Sequence, residues 1–260
     1  MKNESLFNFD AFSLRLDTEW LGRKFFYFEE IESTNSYLKE SSGAVSGTTI
    51  LAEFQTAGRG RQERIWISNK GENLLFSVLL KKDVIAHEHL NLLNMGAAVY
   101  IAEAIENLYV LKTDLKWPND ILMNGKKVAG ILTETSFSGN KFQHAILGAG
   151  VNVNQNEFAG KHPVTPTSIK LEAKTIIERE KLLAHILNSL EELIIEIDAN
   201  PQSILKKWKS GCSMIGEKIV IKNGPNVYEG IFEDVDLTGA LMLNEGGRIF
   251  KYNFGEVSIS

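Results

Sequence analysis

The chain has 260 residues, of which 28 are basic and 33 acidic, so its formal net charge is −5 at pH 7. This balance excludes a broad electrostatic nucleic-acid surface, although it is compatible with a local basic loop. Hydrophobic residues make up 43% and charged residues 23%, which is typical of a folded globular protein and not of a disordered one. The one cysteine, Cys212, excludes a disulfide framework, and we interpret it as a small packed residue.

The sequence carries no targeting signal that we can identify. Its first residues contain an early acid and no long apolar run, and no stretch of about 18 apolar residues occurs anywhere. We therefore expect a cytoplasmic protein that does not enter a membrane.

The first four fifths of the chain alternate between strand and helix signals. Ser33 or Thr34 is expected to cap a short helix, and helical spacing of apolar residues predicts longer helices over 88–108 and 178–197, followed by a short one from Pro201. An Asn-Gly pair at 124–125 predicts a tight hairpin. Strands are predicted at residues 25–28, 49–54, 73–80, 111–117, 121–123, 128–135 and 142–153.

The pattern of predicted elements changes near residue 216, from mixed strands and helices to short strands alone. Short strands separated by glycine-containing turns are predicted at residues 218–222, 228–234, 240–244, 248–252 and 256–259. We therefore predict an α+β protein with two domains: residues 1–212, built on a mixed, largely antiparallel sheet with flanking helices, and residues 213–260, a small β-barrel. The number of hairpins argues against a doubly wound parallel sheet.

A loop rich in glycine and arginine, residues 55–66, is the densest polar segment. Its glycines let backbone N–H groups turn toward a ligand, and its arginines suit a phosphate or carboxylate. Trp66 offers an aromatic face to a flat ring. Composition alone leaves two interpretations open: a nucleotide-binding loop, or a solvated mobile loop beside an ordinary buried tryptophan. The spacing matches neither the dinucleotide fingerprint nor the P-loop.

A second polar segment spans residues 116–130. Pro118 fixes a sharp strand exit, and the hairpin is expected to bring Lys127 back near Lys116 and Asp120. A lysine held there can neutralise negative charge that develops in a transition state. For Lys126 we favour an ordinary surface position, and for Lys127 the spacing alone does not decide.

A third segment, residues 148–154, has glycines inside a predicted strand. Glycine weakens a strand unless a backbone or a ligand comes close, so this segment is either a binding-site floor or a plain β-bulge. His87 and His89 resemble a metal pair but point to different sides of a helix, and we predict no protein-held metal.

Together, in this order, these segments closely resemble the biotin–protein ligase family. The resemblance runs from about residue 25 to the C-terminus, and the Gly-Arg-Gly-Arg loop with Lys-Trp-Pro-Asn-Asp is a highly specific pair. The motifs that carry it are Ser33-Thr34-Asn35; Gln55 with Gly58-Arg59-Gly60-Arg61 and Trp66; Lys116-Trp117-Pro118-Asn119-Asp120 with Gly125-Lys126-Lys127-Val128-Ala129-Gly130; and Gly148-Ala149-Gly150-Val151-Asn152.

The resemblance implies a biotin/lipoate ligase-like fold, an SH3-like C-terminal barrel and a reaction in two steps. Biotin and ATP form biotinyl-5′-AMP, and the biotinyl group then passes to a lysine of a biotin carboxyl carrier domain of acetyl-CoA carboxylase or a related carboxylase. Mg²⁺ is expected to accompany ATP. The Gly/Arg loop is expected to be mobile and to order over the adenylate.

The resemblance also assigns roles by motif. Lys127, Arg59 and Arg61 are the implied catalytic residues. The implied biotin-binding residues are Ser33, Thr34, Asn35, Gln55, Gly58, Arg59, Gly60, Arg61, Lys127, Gly130, Gly148 and Gly150. The implied nucleotide-binding residues are Arg59, Arg61, Trp66, Lys116, Asn119, Asp120 and Asn152.

Only 32 residues precede Ser33, too few for the DNA-binding domain that some family members carry, so we expect no repressor activity and no DNA partner. We expect a monomer or a homodimer. Two alternatives remain. One is a lipoate or octanoate ligase on the same scaffold, although those relatives lack the Gly-Arg-Gly-Arg and Lys-Trp-Pro-Asn-Asp motifs as they stand here. The other is a sensor that binds biotin or a nucleotide without catalysis.

Overall fold

The computed structural model describes residues 6–62, 64–253 and 255–259, and these contain two sheets. The strands of the larger sheet are β1 (Phe25–Phe28), β2 (Thr49–Ala52), β3 (Leu74–Lys81), β4 (Asp114–Lys116), β5 (Asp120–Met123), β6 (Lys126–Ser138) and β7 (Lys141–Val151). Their order is β1-β2-β3-β7-β6-β5-β4. Only β1 and β2 run parallel, and every other neighbouring pair is antiparallel. The predicted α+β class is confirmed.

Helices cover both faces of this sheet. They are α1 (Phe9–Ser13), α2 (Thr34–Glu40), α3 (Leu90–Tyr109), α4 (Ile169–Ala173), α5 (Arg179–Ala199) and α6 (Pro201–Ser210). On one face α3 packs against α5 and α6, and their apolar sides form the main core with residues of β3 such as Phe76 and Val78. On the other face α2 covers a small cluster that includes Leu38, Leu79 and Ile146. This second face carries the candidate site.

The smaller sheet lies at the C-terminal end of the chain. Its strands are β8 (Lys218–Asn223), β9 (Asn226–Val235), β10 (Leu241–Glu245), β11 (Arg248–Tyr252) and β12 (Glu256–Ile259). They form one antiparallel sheet in the order β11-β10-β9-β8-β12. Its buried residues Phe232 and Leu241 join the main core, and Trp117 Nε1 donates to Gly239 O at 3.0 Å. The domain boundary at residues 212 and 213 stays a prediction.

The described elements differ from the predicted ones in a few places. The strand predicted over 111–117 is limited to β4, because Thr113 donates its N–H and hydroxyl to Glu106 Oε1, both at 2.7 Å, and not to a neighbouring strand. A 3₁₀ turn, His87–His89, precedes α3. Helices α1 and α4 were not predicted. Among residues 6–62, 64–253 and 255–259, no helix combines the length and the apolar character needed to cross a bilayer.

Candidate active site

Three glycines on the face of the sheet next to α2 let other side chains approach the backbone closely. Gly130 on β6 is the register partner of Gly150 on β7, and Gly148 lies two residues away on the same face. A Cβ atom at Gly148 would lie 2.3 Å from Asn35 Oδ1, and one at Gly150 would lie 2.4 Å from Trp66 Cε2. β7 runs without a break through both positions. These glycines are therefore needed because side chains of the chain itself approach the strand, which removes the β-bulge alternative.

The N-terminus of α2 forms one wall of the cleft. Ser33 caps the helix, as predicted, by accepting from Ser36 N, and Ser33, Thr34 and Asn35 are all buried. Thr34 donates its N–H to Gln55 Oε1 at 2.8 Å. The side chains that line this wall are all polar, so the wall suits a ligand group that forms several hydrogen bonds.

The Gly/Arg loop forms a short hairpin. Gly60 N donates to Arg64 O at 2.7 Å and Trp66 N donates to Gly58 O at 2.9 Å. A Cβ atom at Gly58 would lie 2.7 Å from Trp66 O, so this crossing requires glycine. The hairpin directs two arginines into the cleft. Arg59 Nη2 lies 2.7 Å from Glu134 Oε2, and Arg61 Nη1 donates to Asn119 Oδ1 at 3.4 Å.

The indole ring of Trp66 lies on the glycine floor. A Cβ atom at Gly130 would lie 3.0 Å from Trp66 Cζ3, and Lys127 Nζ lies 5.4 Å from the centroid of the ring. Trp66 Nε1 is buried and has no acceptor among the described residues. A buried N–H without an acceptor costs about 1–3 kcal/mol. The ring is thus poised to donate to a ligand oxygen.

Lys127 and Asp120 form an ion pair in the cleft. Lys127 Nζ lies 2.6 Å from Asp120 Oδ1, and the two side chains are 26% and 15% exposed. Lys127 is the register partner of Leu122, which lies two residues from Asp120 on β5, so the hairpin places Lys127 and Asp120 on the same side of the sheet. The register shift between Ile121 and Leu122 brings Gly130 to that side as well. Lys116 pairs with Asp120 across β4 and β5, so the three residues meet as predicted. Lys126 instead lies 3.6 Å from Glu172 and is 48% exposed, an ordinary surface position.

The predicted nucleotide contacts Asn119 and Asn152 also line the cleft. Asn119 Nδ2 donates to Ile131 O, which leaves its oxygen directed at Arg61. Asn152 Nδ2 donates to Thr167 O at 3.0 Å, so its amide nitrogen already anchors the segment that follows β7. All predicted site residues except Gly58 line this one cleft, and Gly58 lies at the base of the loop above it.

Sequence reasoning missed three contributors. Glu134 contacts Arg59, and alternation along β6 from Gly130 through Leu132 could have placed it on this face. The segment 158–166 lines the opposite side of the cleft with Phe158, His162, Pro163, Val164 and Pro166. Gly255 and Val257 reach the cleft from the C-terminal sheet. The segment 158–166 and the pair Gly255 and Val257 could not be found from local sequence patterns, because only folding of the chain brings them to the cleft.

The described residues contain no group of three or more His, Cys, Asp or Glu side chains that could hold a metal ion.

Comparisons with known proteins agree with the geometry. A family model described as the biotin/lipoate A/B protein ligase family matches residues 27–152. The chain is 34% identical to the bifunctional ligase/repressor BirA of Bacillus subtilis, over 94% of this chain and 76% of that protein. It is 32% identical to the biotin–[acetyl-CoA-carboxylase] ligase of Paracoccus denitrificans, over 82% of this chain and 90% of that protein.

A solved structure gives the same result. The biotin protein ligase from Aquifex aeolicus, described in complex with biotin and ATP, superposes with a TM-score of 0.80 at 26% identity and covers 92% of this chain and 100% of that one. With relatives above 30% identity that are covered over most of their length, the chain belongs to the biotin–protein ligases.

Proposed function

We propose that the cleft joins biotin to AMP and that the chain then transfers the biotinyl group to a lysine of a biotin carboxyl carrier domain. The relatives support this substrate choice, since one is named a biotin–[acetyl-CoA-carboxylase] ligase and another is described in complex with biotin and ATP. The observation that carries the proposal is the position of Lys127 Nζ, 2.6 Å from Asp120 and 5.4 Å from the Trp66 ring above a glycine floor.

In the first step, a carboxylate oxygen of biotin attacks the α-phosphorus of ATP. The new O–P bond replaces the bond to the bridging oxygen, and pyrophosphate leaves. Both reactants are anions, and two unit charges 4 Å apart repel by about 4 kcal/mol at an effective dielectric constant of about 20. The step therefore needs cations that are already in place, and Lys127, Arg59 and Arg61 supply them. Asp120 holds Lys127 until the ligand oxygens arrive.

In the second step, the neutral amine of the carrier lysine attacks the carbonyl carbon of biotinyl-5′-AMP. A C–N bond forms, the C–O bond to phosphate breaks, AMP leaves, and the amine releases its proton. We assign biotin to the polar wall of Ser33, Thr34, Asn35 and Gln55. The glycines of the floor and of the loop, Gly58, Gly60, Gly130, Gly148 and Gly150, let both substrates approach the backbone.

We assign the nucleotide to the side of the cleft that carries Trp66, Lys116, Asn119, Asp120 and Asn152, together with the two arginines of the loop. Mg²⁺ bound to the triphosphate would neutralise phosphate charge, and we assign it no ligand from the protein. Trp66 packs beside the nucleotide, and its Nε1, which has no acceptor among the described residues, donates to a ligand oxygen.

The test is biotin-dependent exchange of pyrophosphate into ATP, with lipoate and octanoate in parallel. We expect exchange with biotin alone. Lys127→Ala should reduce its rate by about 10²–10³-fold, the cost of removing one group that stabilises developing charge. Lys126→Ala is the matched control, since that lysine faces solvent and Glu172, and it should stay within about twofold of the wild type.

Each other outcome points elsewhere. Exchange with lipoate or octanoate in place of biotin would assign the scaffold to the other acids. The absence of exchange with any acid, from a folded sample, would support a binding protein without catalysis.

A further inference from the structure

Glu134 links the Gly/Arg loop to the polar wall of the cleft. It lies on β6 on the same face as Gly130 and Leu132, and its side chain is 26% exposed. Its Oε2 atom receives two donors at 2.7 Å each, Arg59 Nη2 from the loop and Asn35 Nδ2 from α2. One carboxylate oxygen thus joins two segments that are otherwise far apart in sequence.

The carboxylate also determines which atom donates in the buried hydrogen bonds of the wall. An ionised carboxylate only accepts, so the Nδ2 of Asn35 must face Glu134 and its Oδ1 must face Ser77. Ser77 Oγ lies 2.6 Å from Asn35 Oδ1, so the hydroxyl proton of Ser77 is directed there. Ser77 Oγ, also 2.6 Å from Thr34 Oγ1, must then accept from Thr34.

The same reasoning extends to Gln55. Its Oε1 accepts the backbone N–H of Thr34 at 2.8 Å, while Thr34 Oγ1, at 3.1 Å, gives its proton to the closer Ser77. With Oε1 in use, the Nε2 of Gln55 is the atom left to donate to a ligand. Ser77 and Asn35 are 0% and 4% exposed, so reversing this order would leave a buried polar atom unpaired.

We propose that Glu134 is a positioning residue for biotin activation, which places Arg59 at the cleft and orients Asn35, Ser77, Thr34 and Gln55 as one relay. Only one Arg59 nitrogen is engaged by Glu134, so the guanidinium keeps other N–H donors for an anion. The inference rests on the proposed function. It predicts two effects: a weaker binding of the acid substrate, because the relay orients the polar wall, and a slower adenylation step, because Glu134 also places Arg59.

The experiment is steady-state pyrophosphate exchange by Glu134→Gln and Ser77→Ala, with biotin calorimetry and thermal unfolding of each variant. Glu134→Gln should raise the KM for biotin about tenfold, and because it also releases Arg59 it should lower kcat and raise the KM for ATP. Ser77→Ala breaks the relay one step further on and leaves the Arg59 contact intact, so it should raise the KM for biotin with kcat within about threefold of wild type and the KM for ATP unchanged. Glu29→Gln is the control, since it removes an exposed 2.9 Å pair with Lys70 away from the cleft.

The double variant separates a relay from independent contacts. If Glu134 and Ser77 act through one relay, the double variant raises the KM for biotin no more than the larger single change. Multiplicative effects, or a Glu134→Gln chain that matches Glu29→Gln, would overturn the inference while wild-type exchange leaves the proposed function intact. A wild-type chain that neither binds biotin nor supports exchange would overturn both.

Discussion

Two ion pairs of this protein differ in burial and in the number of further hydrogen bonds that their charged groups form within the chain. Glu53 and Arg179 lie 2.6 Å apart with side chains 0% and 6% exposed, and Arg179 also donates to Leu6 O and Asn73 O. Lys127 and Asp120 are also 2.6 Å apart, but they are partly exposed, and Lys127 has a single carboxylate partner among the described residues. The two distances are equal, so distance alone does not distinguish a structural pair from a functional one.

The difference shows what makes a charge available for chemistry. Arg179 donates its hydrogen bonds to groups of the chain, and Glu53 is fully buried. Neither residue can therefore exchange partners without a large cost in free energy. Lys127 and Asp120 are both partly exposed in the cleft, so in the proposed function Lys127 exchanges Asp120 for a ligand oxygen. We infer that Lys127 is available for chemistry because its partner Asp120 is itself partly exposed in the cleft.

The largest expected effect comes from breaking the buried pair. Arg179→Met should lower the free energy of unfolding by about 3–5 kcal/mol, because it leaves the Glu53 carboxylate buried without a partner. Denaturant unfolding measures this, and biotin-dependent exchange by the folded fraction should keep its KM values. The control is Arg15→Met, an exposed arginine whose contact to Glu178 is 3.5 Å long and which should change stability by less than about 0.5 kcal/mol.

A smaller effect is expected when the floor of the cleft is filled. Gly150→Ala places a methyl group 2.4 Å from Trp66 Cε2, so the indole must leave its position beside Lys127. We expect the KM for ATP to rise about tenfold, equivalent to about 1.4 kcal/mol, which is within the usual range for overpacking. Gly43→Ala, where nothing lies within 4 Å, is the matched control. An unchanged KM for ATP would separate Trp66 from the nucleotide.

The cluster around Glu196 shows that a partly exposed charge can still have all its hydrogen-bond partners within the chain. The Glu196 side chain is 27% exposed, much like Lys127, yet it accepts from Ser203, Tyr100 and Lys207. The bonds from Ser203 and Tyr100 hold the pKa of Glu196 down to about 2. A carboxyl with a lowered pKa stabilises the fold above its unfolded pKa, near 4.3, and this contribution is lost as the pH falls toward 2.

We therefore expect Glu196→Gln to lower stability by about 1–2 kcal/mol at pH 7, with no effect on exchange. The difference from wild type should shrink as the pH falls below about 4.5. Denaturant unfolding between pH 3 and pH 7 would measure it, with the exposed Glu192→Gln as the control. A difference that grows in acid would contradict the assignment.

The fold was accessible from local signals because the strands and helices follow hydrophobic periodicity and the turns follow their glycines. The Asn124-Gly125 hairpin has φ of 50° and 72°, the left-handed pair that a tight hairpin requires. The start of α2 likewise follows from the capping residue Ser33. Helix α4 has only five residues and gives too short a pattern to detect.

The site was accessible where residues lie close together in the sequence and only partly accessible elsewhere. The hairpin geometry was sufficient to bring Lys127 to Asp120. Ser77 is a single hydroxyl inside an apolar strand, and its contacts with Thr34 and Asn35 depend on how α2 packs on the sheet. Gly255 and Val257 arrive from a separate sheet, and no pattern within one segment predicts such an approach.

The central claim is that this cleft activates biotin, and the direct test is to observe the intermediate. The purified chain, mixed with excess biotin and ATP in the absence of any carrier domain and then quenched with acid, should yield about one equivalent of biotinyl-5′-AMP per site by mass spectrometry, because the closed site protects the anhydride from water. A folded chain that forms no acyl adenylate from biotin, or forms one only from lipoate or octanoate, would contradict the account.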